Sequence, residues 1–211
     1  MSETRARFVA LHPDERLTAL LWRYKERTRE LAGPQTFLDH PPHLTVYLSE
    51  FPEGTRLSPS LEELAEGLAA PRVRVLGWHV FAGDPLTGGN TLVCDIHPED
   101  QQALRRVQGR VVAAVSELRD RPATEERFSP RRSTLSDGQW ADVTERGFPY
   151  LGDGWIPHFT VASIKPEDWD RVYSELGDDP PSGEFTCSEL CEYELIDGHN
   201  HLVRVIPLID D

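Results

Sequence analysis

The sequence predicts an α+β fold of two pseudo-symmetric lobes, with antiparallel sheets facing a central groove and helices on the outside. Three observations carry this. A short phrase occurs twice, as Pro42-His43-Leu44-Thr45-Val46-Tyr47-Leu48 and as Pro157-His158-Phe159-Thr160-Val161-Ala162-Ser163, about half the chain apart. Stretches of period two, as strands require, alternate with stretches of helical spacing in both halves. Tight turn signals such as Asp197-Gly198 join neighbouring strands as hairpins, which makes those pairs antiparallel.

The elements follow in order. Residues 7–12 alternate weakly as a first strand. His12-Pro13-Asp14 opens a helix with Leu17, Leu20, Leu21 and Tyr24 on one face, running to about Leu31 before Gly33-Pro34 breaks it. A strand spans about Leu44 to Leu48, and Phe51-Pro52-Glu53-Gly54 turns the chain. Ser58-Pro59-Ser60 with Glu62 and Glu63 starts a second helix, since acids favour the first turn, and it ends near Ala70-Pro71. Val73, Val75, Gly77, His79 and Phe81 share one face of a strand, and Thr91 to Ile96 returns after a loop from Asp84 to Asn90. Pro98-Glu99-Asp100 begins a long helix to roughly Leu118. The second motif strand, a helix from Pro166 to Leu176, and strands near 184–196 and 201–208 complete the second lobe. The whole chain, 1–211, is expected to be one bilobal domain with an Arg-rich insertion at about 120–147. That insertion reads as a polar loop, and long loops inside compact domains are functional or disordered.

The repeated phrase carries the chemistry. In a strand, His43 and Thr45 point to one face while Leu44 and Val46 point to the other, and the same holds for His158 and Thr160. One His-x-Thr on an apolar strand is most often a satisfied polar pair. Two copies half a chain apart suggest an internal duplication around one site. Two imidazoles and two hydroxyls around a cavity can hold a phosphodiester. The hydroxyls donate to phosphoryl oxygens, and the imidazoles serve as general acid and base near neutral pH. Tyr47 and Trp155 offer aromatic faces for a base, as do Phe81 and Phe148, although core packing is the commoner role of such rings. Arg127, Arg131 and Arg132 lie in the insertion that enters the His158 strand, where a lid could carry them to further phosphates. Exposed solvated charge is the plainer reading of that run.

Composition sets bounds. The net charge of −14 disfavours extensive non-specific nucleic-acid binding, so a small nucleotide or an RNA end is the expected ligand. Cys94, Cys187 and Cys191 are an odd number in apolar, strand-like contexts, which fits free thiols in a reducing compartment. No second ligand pair completes a metal set with Cys187 and Cys191, so no metal and no cofactor are expected. His12 and His97 read as residues at strand boundaries, and His79 as wall or core. No apolar run is long enough to span a bilayer and no signal peptide precedes Phe8, so a cytoplasmic protein without membrane contact, and a monomer, is the expectation.

The chain resembles the two-histidine (2H) phosphoesterase superfamily, in its 2′-5′ RNA ligase-like and cyclic phosphodiesterase branch. The resemblance rests on both His-x-Thr phrases, on Arg7-Phe8-Val9-Ala10-Leu11-His12-Pro13 as a first strand, and on Gly147-Phe148-Pro149-Tyr150-Leu151-Gly152-Asp153-Gly154-Trp155-Ile156 as the lead-in to the second motif. It covers most of the chain, with a gap near 120–145. It implies metal-independent hydrolysis of 2′,3′-cyclic phosphates of nucleotides or RNA ends, with His43 as general acid and His158 as general base. It also implies that Thr45 and Thr160 hold the non-bridging oxygens. Similar proteins carry an arginine five places after the second histidine, where this chain has Ser163, with Lys165 two further on. That departure bears on the substrate more than on the reaction. The alternatives are reversible 2′-5′ RNA ligation, cleavage of a cyclic oligonucleotide, and a non-catalytic phosphate- or nucleotide-binding protein.

Overall fold

The computed structural model describes residues 3–209. Its strands are β1 (Thr4–Pro13), β2 (Leu44–Pro52), β3 (Arg72–Phe81), β4 (Asn90–Ile96), β5 (Phe159–Ile164), β6 (Gly183–Ile196) and β7 (His199–Pro207). Its helices are α1 (Glu15–Ala32), α2 (Ser58–Ala65), α3 (Pro98–Val115), α4 (Arg121–Phe128), α5 (Asp137–Arg146) and α6 (Pro166–Leu176). The fold is α+β, with every strand pair antiparallel.

The two lobes share one sheet. Its strand order is β2-β1-β6-β3-β4-β5, with β7 also paired to β6. The 14-residue β6 makes this possible. Its Gly183–Thr186 end pairs with β3, while its Cys187–Glu194 stretch pairs with β1. β7 lies along the other edge of that second stretch, from Glu189 to Ile196. Asp14 ties the first helix into this junction: its carboxylate accepts from Leu17 N at 2.9 Å, capping α1, and from Thr186 N of β6 at 2.8 Å. One apolar cluster runs through both lobes, from Val9 and Leu44 to Phe159, Leu190 and Ile206.

The segment from Asp120 to Gly147 is not the loop that its polarity suggests. It folds as α4, a 3₁₀ stretch from Ser129 to Thr134, and α5. Two caps explain the helices. The Asp120 side chain accepts from Ala123 N at 3.0 Å. Ser136 and Gln139 form a reciprocal capping box, each side chain bonding the other's backbone N–H. Few apolar residues anchor these helices, chiefly Phe128 and Val143, so their periodicity is weak in the sequence. Thr124 Oγ1 lies 2.9 Å from Ser49 Oγ, seating α4 against β2.

Candidate active site

The motif histidines stand just before their strands and are held the same way. His43 Nδ1 lies 2.7 Å from Pro41 O, and His158 Nδ1 lies 2.7 Å from Ile156 O. A carbonyl can only accept, so each Nδ1 carries its proton and each Nε2 is left as the atom that can take or deliver one. Both rings are half-buried. Burial pushes the His43 imidazole down to about 4, against the partial support of the Pro41 carbonyl. Burial also lowers His158, while the nearby Asp84 carboxylate opposes that shift.

A second likeness lies in the strands. On β2 the register with β1 slips after Thr45: Ala10 pairs Thr45 while Val9 pairs Tyr47, so Val46 is an extra, bulged residue. On β5 the register with β4 slips after Thr160: Val93 pairs Thr160 while Leu92 pairs Ala162, so Val161 is the bulge. The two copies of the phrase therefore carry an irregularity at the same place. Residues directly opposite in a ladder share a face. Thr45, opposite Ala10, thus shares its face with the Phe8, Ala10, Cys191 and Tyr193 cluster. The His43 ring packs there, 5.4 Å from Phe8 and 5.9 Å from Tyr193 between centroids. His158 has its own aromatic neighbour, Phe81 at 5.0 Å, which in turn meets His79 at 4.7 Å.

β2 and β5 lie at opposite ends of the strand order, yet a short strap joins them. Thr36 bridges to Ser163, whose N–H donates to Thr36 O at 2.9 Å, and Lys165 N donates to Gln35 Oε1 at 2.9 Å. The strap then runs through Phe37 towards His43. Lys25 of α1 sits at its centre. Its Nζ donates to Phe37 O at 2.7 Å and to Val161 O, the bulged residue of β5, at 2.8 Å. The Lys25 charge adds a small push to the lowering of the His43 imidazole, after burial.

Burial lowers Lys25 to about 7. The neutral amine has two N–H groups, which match its two carbonyl partners. Lys25→Met is expected to cost about 1–3 kcal/mol, the penalty for leaving a buried acceptor without a donor. The sign with pH follows from linkage. Between about 7 and the ordinary 10.5 the unfolded chain binds more protons, so the lysine's contribution grows as pH rises through that window. Urea unfolding of wild type and Lys25→Met at pH 7 and 9.5 checks both; a gap that narrows at the higher pH contradicts this account.

The other sequence-selected residues fare differently. Tyr47 is 0 % exposed and Trp155 4 % exposed, so neither ring reaches a ligand. The Val46 bulge corrects the expectation for Tyr47: it reverses the alternation, turning Tyr47 into the core, where its hydroxyl donates to Arg146 O at 2.7 Å. Gly147 covers it, at φ 88°, where a Cβ would stand 2.6 Å from the Tyr47 hydroxyl. Trp155 leaves a 3₁₀ turn at Gly152–Gly154 and packs in the main apolar cluster. Arg127 pairs with Glu50 at 2.7 Å, seven residues and roughly 23 Å of strand from His43. Arg132 is held by Asp137 at 2.7 Å and lies over the Trp140 ring. Arg131 differs, since among the described residues its side chain makes no hydrogen bond or ion pair and it is only partly exposed. Ser163 does not take the place of an arginine at the site: it is 3 % exposed, with its Oγ 2.5 Å from Thr87 Oγ1. Reading residues singly missed Phe8, Tyr193 and Asp84, and set His12 aside as a boundary residue. Their only signal was period-two placement on strands whose pairing was not yet known. A surface depression of about 300 Å³, lined by Arg105, Gln108 and Arg146, holds neither motif histidine.

Two half-buried histidines with matched tautomers, each followed by a threonine on its own bulged strand, make up the candidate site. Residues 13–198 match the 2′-5′ RNA ligase superfamily model, and the chain belongs to that superfamily. Among solved structures, TT0787 of Thermus thermophilus is 18 % identical with a TM-score of 0.57, over 98 % of this chain and 99 % of that one. E. coli LigT complexed with ATP is 13 % identical with a TM-score of 0.50, over 98 % and 99 % of the two chains. At these identities the likeness shows the fold. No curated protein sequence matches the chain.

Proposed function

We propose that this protein hydrolyses a 2′,3′-cyclic phosphate on a nucleotide or an RNA end by metal-independent, two-histidine acid–base catalysis. The observation that carries the reading is the matched pair of imidazoles, each fixed through Nδ1 to a carbonyl two residues back and each two residues before a threonine. His158 takes a proton from the attacking water, and His43 protonates the ribose oxygen that leaves phosphorus. Thr45 and Thr160 donate to the non-bridging oxygens, where charge gathers in the transition state. Asp84 favours the imidazolium that forms on His158. LigT has been solved with ATP, which supports a nucleotide as the class of ligand. Incubation with 2′,3′-cyclic AMP in EDTA tests the proposal, with one monophosphate as the expected product. Saturable binding without turnover would favour a binding protein, and joining of RNA ends would favour a ligase.

Both imidazoles are pushed below the ordinary 6.5, so the singly protonated pair is populated on the acid side of that value. The kcat/KM profile is therefore expected to be a bell with its maximum below pH 6.5. A maximum above pH 7 would contradict the assigned environments.

Arg131 is the insertion arginine that we assign to a phosphate beyond the reacting one. Arg131→Ala should weaken binding of an oligonucleotide ending in a cyclic phosphate and flatten its salt dependence by about one unit of slope. A cyclic mononucleotide should be unaffected. Equal loss on both substrates would exclude the distal role.

A further inference from the structure

We propose that His12, Glu189 and Cys191 form a binding site for a divalent ion of the zinc class, beside the two-histidine site and separate from its chemistry. One ring nitrogen of His12, a Glu189 carboxylate oxygen and the Cys191 sulfur all lie within 4.8 Å of one another. The sheet register builds this cluster. His12 of β1 is directly opposite Glu189 of β6, and Cys191 is two residues further along the same face, opposite Ala10. A tetrahedral ion with bonds of about 2.0–2.3 Å needs its ligand atoms roughly 3.3–3.8 Å apart, so rotamer adjustments of about 1 Å gather these three.

Each ligand is suited to the task. His12 Nδ1 meets Glu189 Oε2 at 3.2 Å, so two of the three ligand atoms already lie within the spacing that the ion requires. The other ring nitrogen, Nε2, lies 2.5 Å from the Tyr193 hydroxyl. Metal-bound histidines characteristically engage an oxygen through their second nitrogen, which fixes the ring and the tautomer. Cys191 is a free thiol with no hydrogen bond among the described residues. The His12 and Glu189 side chains keep 18 % and 38 % of their surface open, so the cluster meets solvent on the side of these two residues. Thiolate with imidazole and carboxylate selects Zn²⁺ or Co²⁺ over Mg²⁺ and Ca²⁺, which prefer oxygen alone. On binding, the thiol proton is released and the imidazole proton moves from Nδ1 to Nε2, where it donates to the Tyr193 oxygen.

None of His43, Thr45, His158 and Thr160 is a ligand, so the proposal stands whether or not the protein turns over a cyclic phosphate. The other possible role of these residues is a plain hydrogen-bonded chain, Glu189–His12–Tyr193, that props Tyr193 against Phe8 and His43. Titration of the chelator-stripped full chain with Co²⁺ separates the two. A metal site gives one equivalent per chain and a near-ultraviolet thiolate-to-cobalt band that Zn²⁺ displaces. Cys191→Ser should abolish the band, and both it and Glu189→Gln should weaken Zn²⁺ binding at least ~10-fold, whereas His43→Ala should leave it unchanged. Glu189→Gln changes a partly exposed side chain, so its result stands even if the buried cysteine variant folds poorly. Co²⁺ that binds without the band, or Zn²⁺ affinity unmoved by Glu189→Gln, overturns the site and leaves the hydrogen-bonded chain.

Discussion

His43→Ala and His158→Ala are each expected to lower turnover of a 2′,3′-cyclic nucleotide by about 10² to 10⁴, the usual size of a general acid or base contribution. The two rings are held alike, by Pro41 O and Ile156 O at 2.7 Å, so neither can inherit the other's task without moving its strand. The double variant should be little worse than the weaker single one, because an acid without its base no longer works as a pair. Thr45→Val and Thr160→Val remove one donor each and should cost less than either histidine. Circular dichroism and urea midpoints would show whether the variants keep the fold. A folded His158→Ala with wild-type turnover would remove it from the mechanism, and the shared-site reading with it.

Arg7→Met is expected to destabilise the protein by about 3–5 kcal/mol, the cost of leaving a buried charge without its partner. Arg7 of β1 donates to Glu192 of β6 at 2.7 Å and to Glu194 at 3.1 Å. Glu192 is 0 % exposed, and among the described residues its second oxygen accepts only from Ser58 Oγ, at 2.5 Å. The change therefore strands a carboxylate in the core where β1 and β6 meet the start of α2. Replacing Arg7 and Glu192 together by Met and Leu should recover much of the loss, because a well-packed apolar pair costs little in place of a buried ion pair. Urea unfolding measures both variants. A loss below about 1 kcal/mol for Arg7→Met would mean that water reaches Glu192 and screens it.

Much of the fold was legible along the chain because its signals are local. The helix over Pro98–Val115 follows from its proline and acids at the start and from Leu104, Val107 and Val111 at helical spacing. The hairpin at Asp197-Gly198 follows from turn chemistry, with Asp197 at φ 53° and Gly198 at φ 79°. The helices of the Arg-rich insertion were missed because their apolar faces are thin. Their caps, Asp120 and Ser136 with Gln139, were the readable sign.

The site divides along the same line. The sequence by itself singled out the candidate residues: His43, Thr45, His158 and Thr160 stand out because one His-x-Thr phrase is written twice on apolar strands. Tertiary structure alone decided what surrounds them. A bulge is a mismatch between two strands, so nothing in Val46 or Tyr47 announces that Tyr47 will face the core. Phe8 and Tyr193 reach His43 only through the pairing of β1 with β2 and β6, and His12 meets Glu189 across 177 residues of chain. Lys25 was visible as one of two lysines, but its task required Phe37 O and Val161 O to arrive from opposite halves of the chain. The physical reason is range: alternation, caps and turns are settled within a few residues, whereas register and burial are settled only when distant strands meet.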